Sequence, residues 1–266
     1  MERYQLKRVI IIILAILNGF LGLDLVRQRI SESASAYRAE QELLELFAAD
    51  GVALSPDIIP RGAPPSALQL ALDAETLSRF AAFFLGPGAE RAERGNVQQY
   101  DAGDGVVRFH ADGSFTATDL NVRGDPKALC RDFCRAWPYS MPDSWEELEE
   151  DEEVTMTARY GDYAVFNCGV VFSFEGDTLR EAFGTLLPRN GTPIDSPNLD
   201  AFGALAVFQA KRRENRVVAA EIYQLSLCYA LQNADGEDMT LVPAWLVETD
   251  TAACYVNCAT GELFFF

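Results

Sequence analysis

The chain has 266 residues and carries 40 Asp and Glu against 22 Lys and Arg, a formal charge of −18. That balance excludes an electrostatic nucleic-acid binder, which needs a basic footprint. The 49% of apolar residues, with 11% aromatics, excludes wholesale disorder, and a single histidine, His110, removes every His-pair metal site.

The amino-terminal stretch differs in material from the rest. Residues 1–8 set Arg3, Lys7 and Arg8 against Glu2 and read as a short cytoplasmic end. The next 18, residues 9–26, carry no charge until Asp24. As a helix they reach roughly 27 Å, close to the bilayer core of about 30 Å. Ala34-Ser35-Ala36 resembles a signal-peptidase site, but it stands eleven residues past Leu23, behind Asp24, Arg27, Arg29 and Glu32. Cleavage sites follow the apolar core closely, so the segment reads as an uncleaved anchor. The basic amino end then places the N-terminus inside and the large remainder outside the cell membrane. Within the span Ala15, Asn18, Gly19 and Gly22 fall at i, i+3, i+4 and i+7, one stripe of small and polar residues suited to contact with partner helices.

Residues 27–65 read as a juxtamembrane helix and a proline-rich linker. Ser31 to Asp50 shows an apolar side of Tyr37, Leu43, Leu44, Leu46 and Phe47, and Gly51 ends it. Four prolines between residues 55 and 65 make the linker extended. Residues 66–180 form a first α+β unit. Its helices are predicted over Leu68 to Leu85 and Pro126 to Trp137. Its strands include 105–109 and 114–118, joined at Asp112-Gly113, and Ala164 to Phe174. Residues 181–266 form a second, similar unit with a helix over Leu199 to Ala210. Strands are predicted at Val217 to Leu231, Leu241 to Glu248 and Ala253 to Asn257, and residues 262–266 could close the sheet edge. Helices segregated from antiparallel strands is the α+β class.

Chemistry-bearing candidates are few. Six cysteines read as buried free thiols, with a cross-strand bond from Cys168 or Cys228 as the alternative. Cys254 and Cys258 cannot bridge along one strand, where four residues span about 13 Å against a limit of ~7 Å. Cys130 and Cys134 share a helical face, where a bridge is strained, and neither pair has further clustered metal ligands. Residues 146–153 hold seven acids but lack the spacing of a calcium loop. His110 has no positioned nucleophile beside it in sequence. Trp245 and Pro243 read as core packing and strand-edge geometry. The expectation is no catalytic residue, no metal and no cofactor.

Three passages together resemble the YycI family of membrane-anchored accessory proteins. They are the span around Ile13-Leu-Ala-Ile-Leu-Asn18, the passage from Gly51-Val-Ala-Leu to Ile59-Pro60, and the carboxy-terminal Pro243-Ala-Trp245 with Tyr255-Val-Asn257 and Gly261-Glu262. The resemblance implies a YycH/YycI-like, PepSY-reminiscent extracytoplasmic fold. It implies a non-enzymatic regulator of a cell-wall-controlling two-component system. Its partners would be a YycG/WalK-like sensor histidine kinase and a YycH-like protein, met through the transmembrane helix. It gives Pro243, Trp245, Tyr255, Asn257, Gly261 and Glu262 a structural role. The competing expectation is a PepSY-like anchored envelope binding or inhibitor module acting through its outer sheet.

Overall fold

The computed structural model describes residues 37–94, 97–142, 153–195, 197, 199–214, 218–234 and 238–265. The predicted anchor, its stripe of Ala15, Asn18, Gly19 and Gly22, and all of the acidic run but Glu153 lie outside the described residues. None of the described helices is long and apolar enough to cross a membrane. The chain divides into two compact units, Met1–Pro56 and Asp57–Phe266.

In the first unit, helix α1 spans residues 37–49 and stops where the sequence places its glycine. Gly51 takes φ +73, the left-handed conformation that favours glycine. Its N–H donates to the Ala48 carbonyl at 3.1 Å, and the Val52 N–H donates to the Phe47 carbonyl at 2.9 Å. These two bonds are the Schellman closure, and the two side chains it brings near one another in such caps, Phe47 and Val52, are both buried. A short extended piece, β1 (Ala53–Leu54), follows.

The second unit opens with β2 (Ala67–Leu70) and then α2 (Ala74–Leu85). Here the structure corrects the sequence reading, which ran one helix from Leu68 to Leu85. Leu68 and Leu70 are buried on one face of a strand that pairs with neighbours on both sides. Asp73 then caps the helix, its carboxylate accepting the Thr76 N–H at 2.7 Å. Leu77, Phe80, Ala81 and Phe84 form the buried stripe of α2. The meander β3 (Glu90–Arg94), β4 (Val97–Ala102), β5 (Gly105–Phe109), β6 (Ser114–Thr118) follows, antiparallel throughout.

The same order then recurs. A two-residue strand, β7 (Val122–Arg123), leads to α3 (Pro126–Ala136), with Pro126 at the first turn and Asp125 capping through the Ala128 N–H at 2.9 Å. After it come β8 (Tyr139–Ser140), β9 (Glu153–Tyr160), β10 (Tyr163–Glu175) and β11 (Thr178–Thr185). Beyond the strand β12 (Gly191–Asp195), helix α4 (Ala201–Arg213) begins a third run. Its strands are β13 (Glu221–Ala234), β14 (Asp238–Thr249), β15 (Ala253–Asn257) and β16 (Leu263–Phe265). Lys211, Arg212 and Arg213 occupy the last turn of α4, facing the negative end of the helix dipole.

The first two runs join through their last strands. β6 pairs antiparallel with β11, Ala117 opposite Ala182 and Thr116 opposite Phe183. The composite sheet therefore reads β3-β4-β5-β6-β11-β10-β9-β8. Equivalent strands meeting antiparallel is the arrangement that a local twofold axis normal to the sheet produces. Both helices cover one face. Phe80 of α2 lies 4.6 Å from Phe115, 5.9 Å from Phe133 of α3 and 4.9 Å from Trp137, ring centre to ring centre. Phe133 in turn meets Phe172 at 4.9 Å. Each such aromatic pair contributes about 0.5–1.5 kcal/mol beyond the area it buries.

The third run adds a second sheet portion in which β14 pairs with β13, β15 and β2, and β16 closes the edge beyond β15. Its junction with the first portion is a single parallel bridge, Val165 of β10 opposite Tyr229 of β13. The sequence boundary read between residues 180 and 181 falls inside β11. The whole is a mixed α+β arrangement dominated by antiparallel pairing.

Candidate functional site

The face of the β3–β11 sheet turned away from α2 and α3 presents one side chain per strand in a continuous row. The register runs Gln99 opposite Arg108, Arg108 opposite Thr116, Thr116 opposite Phe183, Phe183 opposite Val171 and Val171 opposite Thr155. Strand alternation sends these residues to the face away from the helices, where Gln99 alone is buried, while Phe115, Ala117, Val170, Phe172 and Met156 enter the core. Phe183, in the strand pair that joins the two halves, is 40% exposed.

Hydrogen bonds order the polar part of the row. Arg108 Nε donates to Gln99 Oε1 at 3.2 Å, and Gln99 Nε2 donates to Asp101 Oδ1 at 2.6 Å. On the other side of Phe183, Ser173 Oγ donates to Glu153 Oε1 at 3.2 Å. An apolar centre ringed by tethered polar groups is the composition of a protein interface, with its dry middle and wet rim.

A cavity of about 690 Å³ opens at one end of the same sheet, lined by Asp104, Asp119, Glu175, Arg180 and Glu181 among others. Arg180 already pairs with Glu175, Nε to Oε2 at 2.6 Å. Among the described residues no group of three His, Cys, Asp or Glu is arranged to hold a metal ion.

The carboxy-terminal motif residues come together as a turn. Asn257, 1% exposed, accepts the Ala259 N–H at 2.8 Å and the Thr260 N–H at 3.1 Å through its side-chain oxygen. Its backbone N–H donates to the Glu262 carbonyl and its carbonyl accepts from Gly261, both at 2.9 Å. Gly261 takes φ +69. These bonds form the β15–β16 hairpin. Tyr255 stacks on Phe264 across it at 4.9 Å. Trp245 is fully buried and donates Nε1–H to the Leu199 carbonyl at 2.9 Å, fixing the chain as it enters α4.

Pro243 sits in β14 between the residues that pair with β2 and those that pair with β15. Its carbonyl accepts the Cys258 N–H at 2.9 Å. The proline's missing N–H therefore falls where the neighbour strand changes, just beyond the last residue of the β14–β15 ladder.

His110 is exposed and serves the β5–β6 hairpin through its backbone: its N–H donates to Ser114 O and its carbonyl accepts from Gly113. All six cysteines are free thiols, five of them buried. Burial pushes Cys130, Cys168, Cys228, Cys254 and Cys258 up to about 12 and Cys134 up to about 11. Groups held so far from ionisation carry little thiolate, the nucleophilic form of the side chain. The outer row was not read from sequence, because Phe183 and Val171 meet only through the β10–β11 register.

No family model matches the chain, and no curated protein matches it either. Among solved structures it is similar to an uncharacterized protein from Eubacterium rectale, at 9% identity and TM-score 0.43, covering 77% of this chain and 86% of that one. It is also similar to the YpeB C-terminal domain of Bacillus megaterium, at 10% identity and TM-score 0.37, covering 73% of this chain and 98% of that one.

Proposed function

We propose that the protein is an anchored, non-catalytic binding module whose contact surface is the sheet face centred on Phe183. The observation that carries this reading is the placement of that ring. It is 40% exposed on the face opposite both covering helices, flanked in register by Val171 and Thr116. An exposed aromatic inside a polar rim is the usual anchor of a protein contact. In this reading residues 9–26 tether the module to the cell membrane, N-terminus inside, and residues 57–266 work outside as a PepSY-like envelope module.

A second reading follows from the stripe of Ala15, Asn18, Gly19 and Gly22 together with the YycI resemblance. There the chain modulates a sensor histidine kinase of a cell-wall-controlling two-component system through transmembrane-helix contacts, alongside a YycH-like partner. The energies suffice, since a tenfold shift of a kinase's two-state balance needs only about 1.4 kcal/mol.

Co-purification of the full chain from membranes, followed by mass identification, separates the two. Phe183→Glu abolishes partner recovery if the sheet face is the contact. Asn18→Leu combined with Gly22→Leu abolishes it if the span is. Unchanged recovery in both variants defeats both readings.

A further inference from the structure

A second cavity, of about 380 Å³, lies between the carboxy-terminal end of α3 and the end of β9. Its lining includes Trp137, Pro138, Tyr139 and Tyr160 together with two arginines, Arg159 and Arg189. The volume falls within the range of small-molecule sites.

Each arginine is held by the main chain. Arg159 donates from one terminal nitrogen to the Asp162 carbonyl at 2.7 Å, and Arg189 does the same to the Arg135 carbonyl at 2.5 Å. A guanidinium has five N–H donors, so each keeps four after its tether. Among the described residues neither arginine has a carboxylate within salt-bridge distance. In a chain where acids outnumber bases 40 to 22, two unpaired arginines on one small cavity run against composition.

The wall adds the rest. The Tyr139 hydroxyl is already engaged by the Thr185 carbonyl and the Leu187 N–H, and the Tyr160 hydroxyl by the Gly191 N–H. Tyr139 is buried, so the apolar surface at the cavity comes from the half-buried Tyr160 ring and Pro138. Trp137 is 1% exposed, and its indole N–H has no acceptor among the described residues. Two tethered arginines beside a tyrosine ring and a proline match a carboxylate borne on an apolar body. The planar fork pairs with carboxylate oxygens two at a time, and the rings cover what the carboxylate is attached to. A bare oxyanion would leave the Tyr160 ring and Pro138 without contact.

We propose that this cavity is a binding site for a small carboxylate with an apolar or aromatic side group, either a free amino acid or the terminal carboxylate of a short peptide. The site shares no residue with the Phe183 row.

The test uses the full chain in detergent, read by tryptophan fluorescence and calorimetry. The probes are phenylalanine, Gly-Gly-Phe, the neutral Gly-Gly-Phe amide and inorganic phosphate. Binding of phenylalanine or Gly-Gly-Phe, with at least tenfold weaker binding of the amide, supports the site. Comparable affinity for both acids assigns free amino acids; preference for Gly-Gly-Phe assigns peptide termini. Arg159→Gln and Arg189→Gln each weaken the acid at least tenfold, and because both side chains are exposed the variants keep the parent's melting curve. Equal binding of acid and amide, binding of phosphate alone, unchanged affinity in both variants, or no binding by any probe overturns the proposal.

Discussion

The side chain of Asn167 is paired with the main chain of Leu231 as if it were a strand. Its Nδ2 donates to the Leu231 carbonyl and its Oδ1 accepts the Leu231 N–H, each at 2.8 Å. This pair sits beside the one parallel bridge, Val165 opposite Tyr229, and carries the sheet from β10 to β13. Tyr160 and Tyr163 pack edge-on to Tyr229 at 6.0 and 5.8 Å, and Tyr229 in turn donates its hydroxyl to the Ser66 carbonyl.

Replacing Asn167 with alanine removes both bonds, and the variant loses about 1–2 kcal/mol in urea unfolding. Hydrogen exchange at the Leu231 amide accelerates, while amides of the β10–β11 ladder keep their protection. Uniform acceleration across both sheets would show that the joint is not a local device.

Gly184 has no room for a side chain. A Cβ there would lie 2.2 Å from the Gly169 carbonyl oxygen and 2.8 Å from Val170 Cα, at φ +150. Gly184→Ala must shift backbone in β10 and costs about 2–4 kcal/mol. Gly161, at φ +60 with nothing near, is the comparison: Gly161→Ala carries only the left-handed cost of about 1–2 kcal/mol. Equal losses for the two in denaturant melts would refute the packing argument.

Asn257→Ala removes the side-chain acceptor of the Ala259 and Thr260 N–H groups, two bonds that hold the β15–β16 turn, and costs about 1–3 kcal/mol. The effect is read as a lower urea midpoint with loss of the Tyr255–Phe264 stacking signal in the near-ultraviolet circular dichroism.

The thiols respond to unfolding, not to reagent. With pKa values of about 11 to 12, against an ordinary 9.0, they are almost wholly protonated at pH 8. Maleimide at pH 8 labels Cys134 slowly and the five buried thiols only after urea is added. Because the folded values are raised, their contribution to stability is full below pH 9. It is lost as pH climbs, since the unfolded chain then releases protons that the folded one retains. Alkaline midpoints therefore fall.

The acid limb has the opposite sign. Asp112 is held below its ordinary 3.8 by the Ser114 hydroxyl and N–H, and Asp73 by the Thr76 N–H at the start of α2. Asp250 is lowered likewise, by the Ala220 and Glu221 N–H groups. Carboxylates with depressed folded values stabilise above the ordinary value and lose that contribution as pH falls through the lowered ones. Asp112→Asn flattens the stability loss below about pH 4. An unchanged acid profile in that variant would show that Ser114 does not hold the charge.

Much of the fold was written locally. The pattern 105–109, Asp112-Gly113, 114–118 is a hairpin by alternation and turn chemistry, and it is β5–β6. Pro126 after Asp125 announces α3, and Ala253 to Asn257 matches β15 as read. The helix is read through Leu68 and Leu70 because Leu70, Ala74, Leu77 and Ala81 fall at helical spacing, so the strand's end extends the stripe of the helix that follows. β3, with two glutamates and two arginines in five residues, has no apolar alternation to detect.

By itself, then, the amino-acid order determined what depends on neighbours a few residues apart: helix caps, tight turns, the apolar periodicities and the surplus of acid. The tertiary structure alone decided that β6 meets β11, that Phe183 faces outward between Thr116 and Val171, and that Arg159 and Arg189 converge on one cavity. Those pairings join residues tens of positions apart. Their register is chosen by which side chains fill the shared core, a sum over the whole fold that no short window of sequence contains.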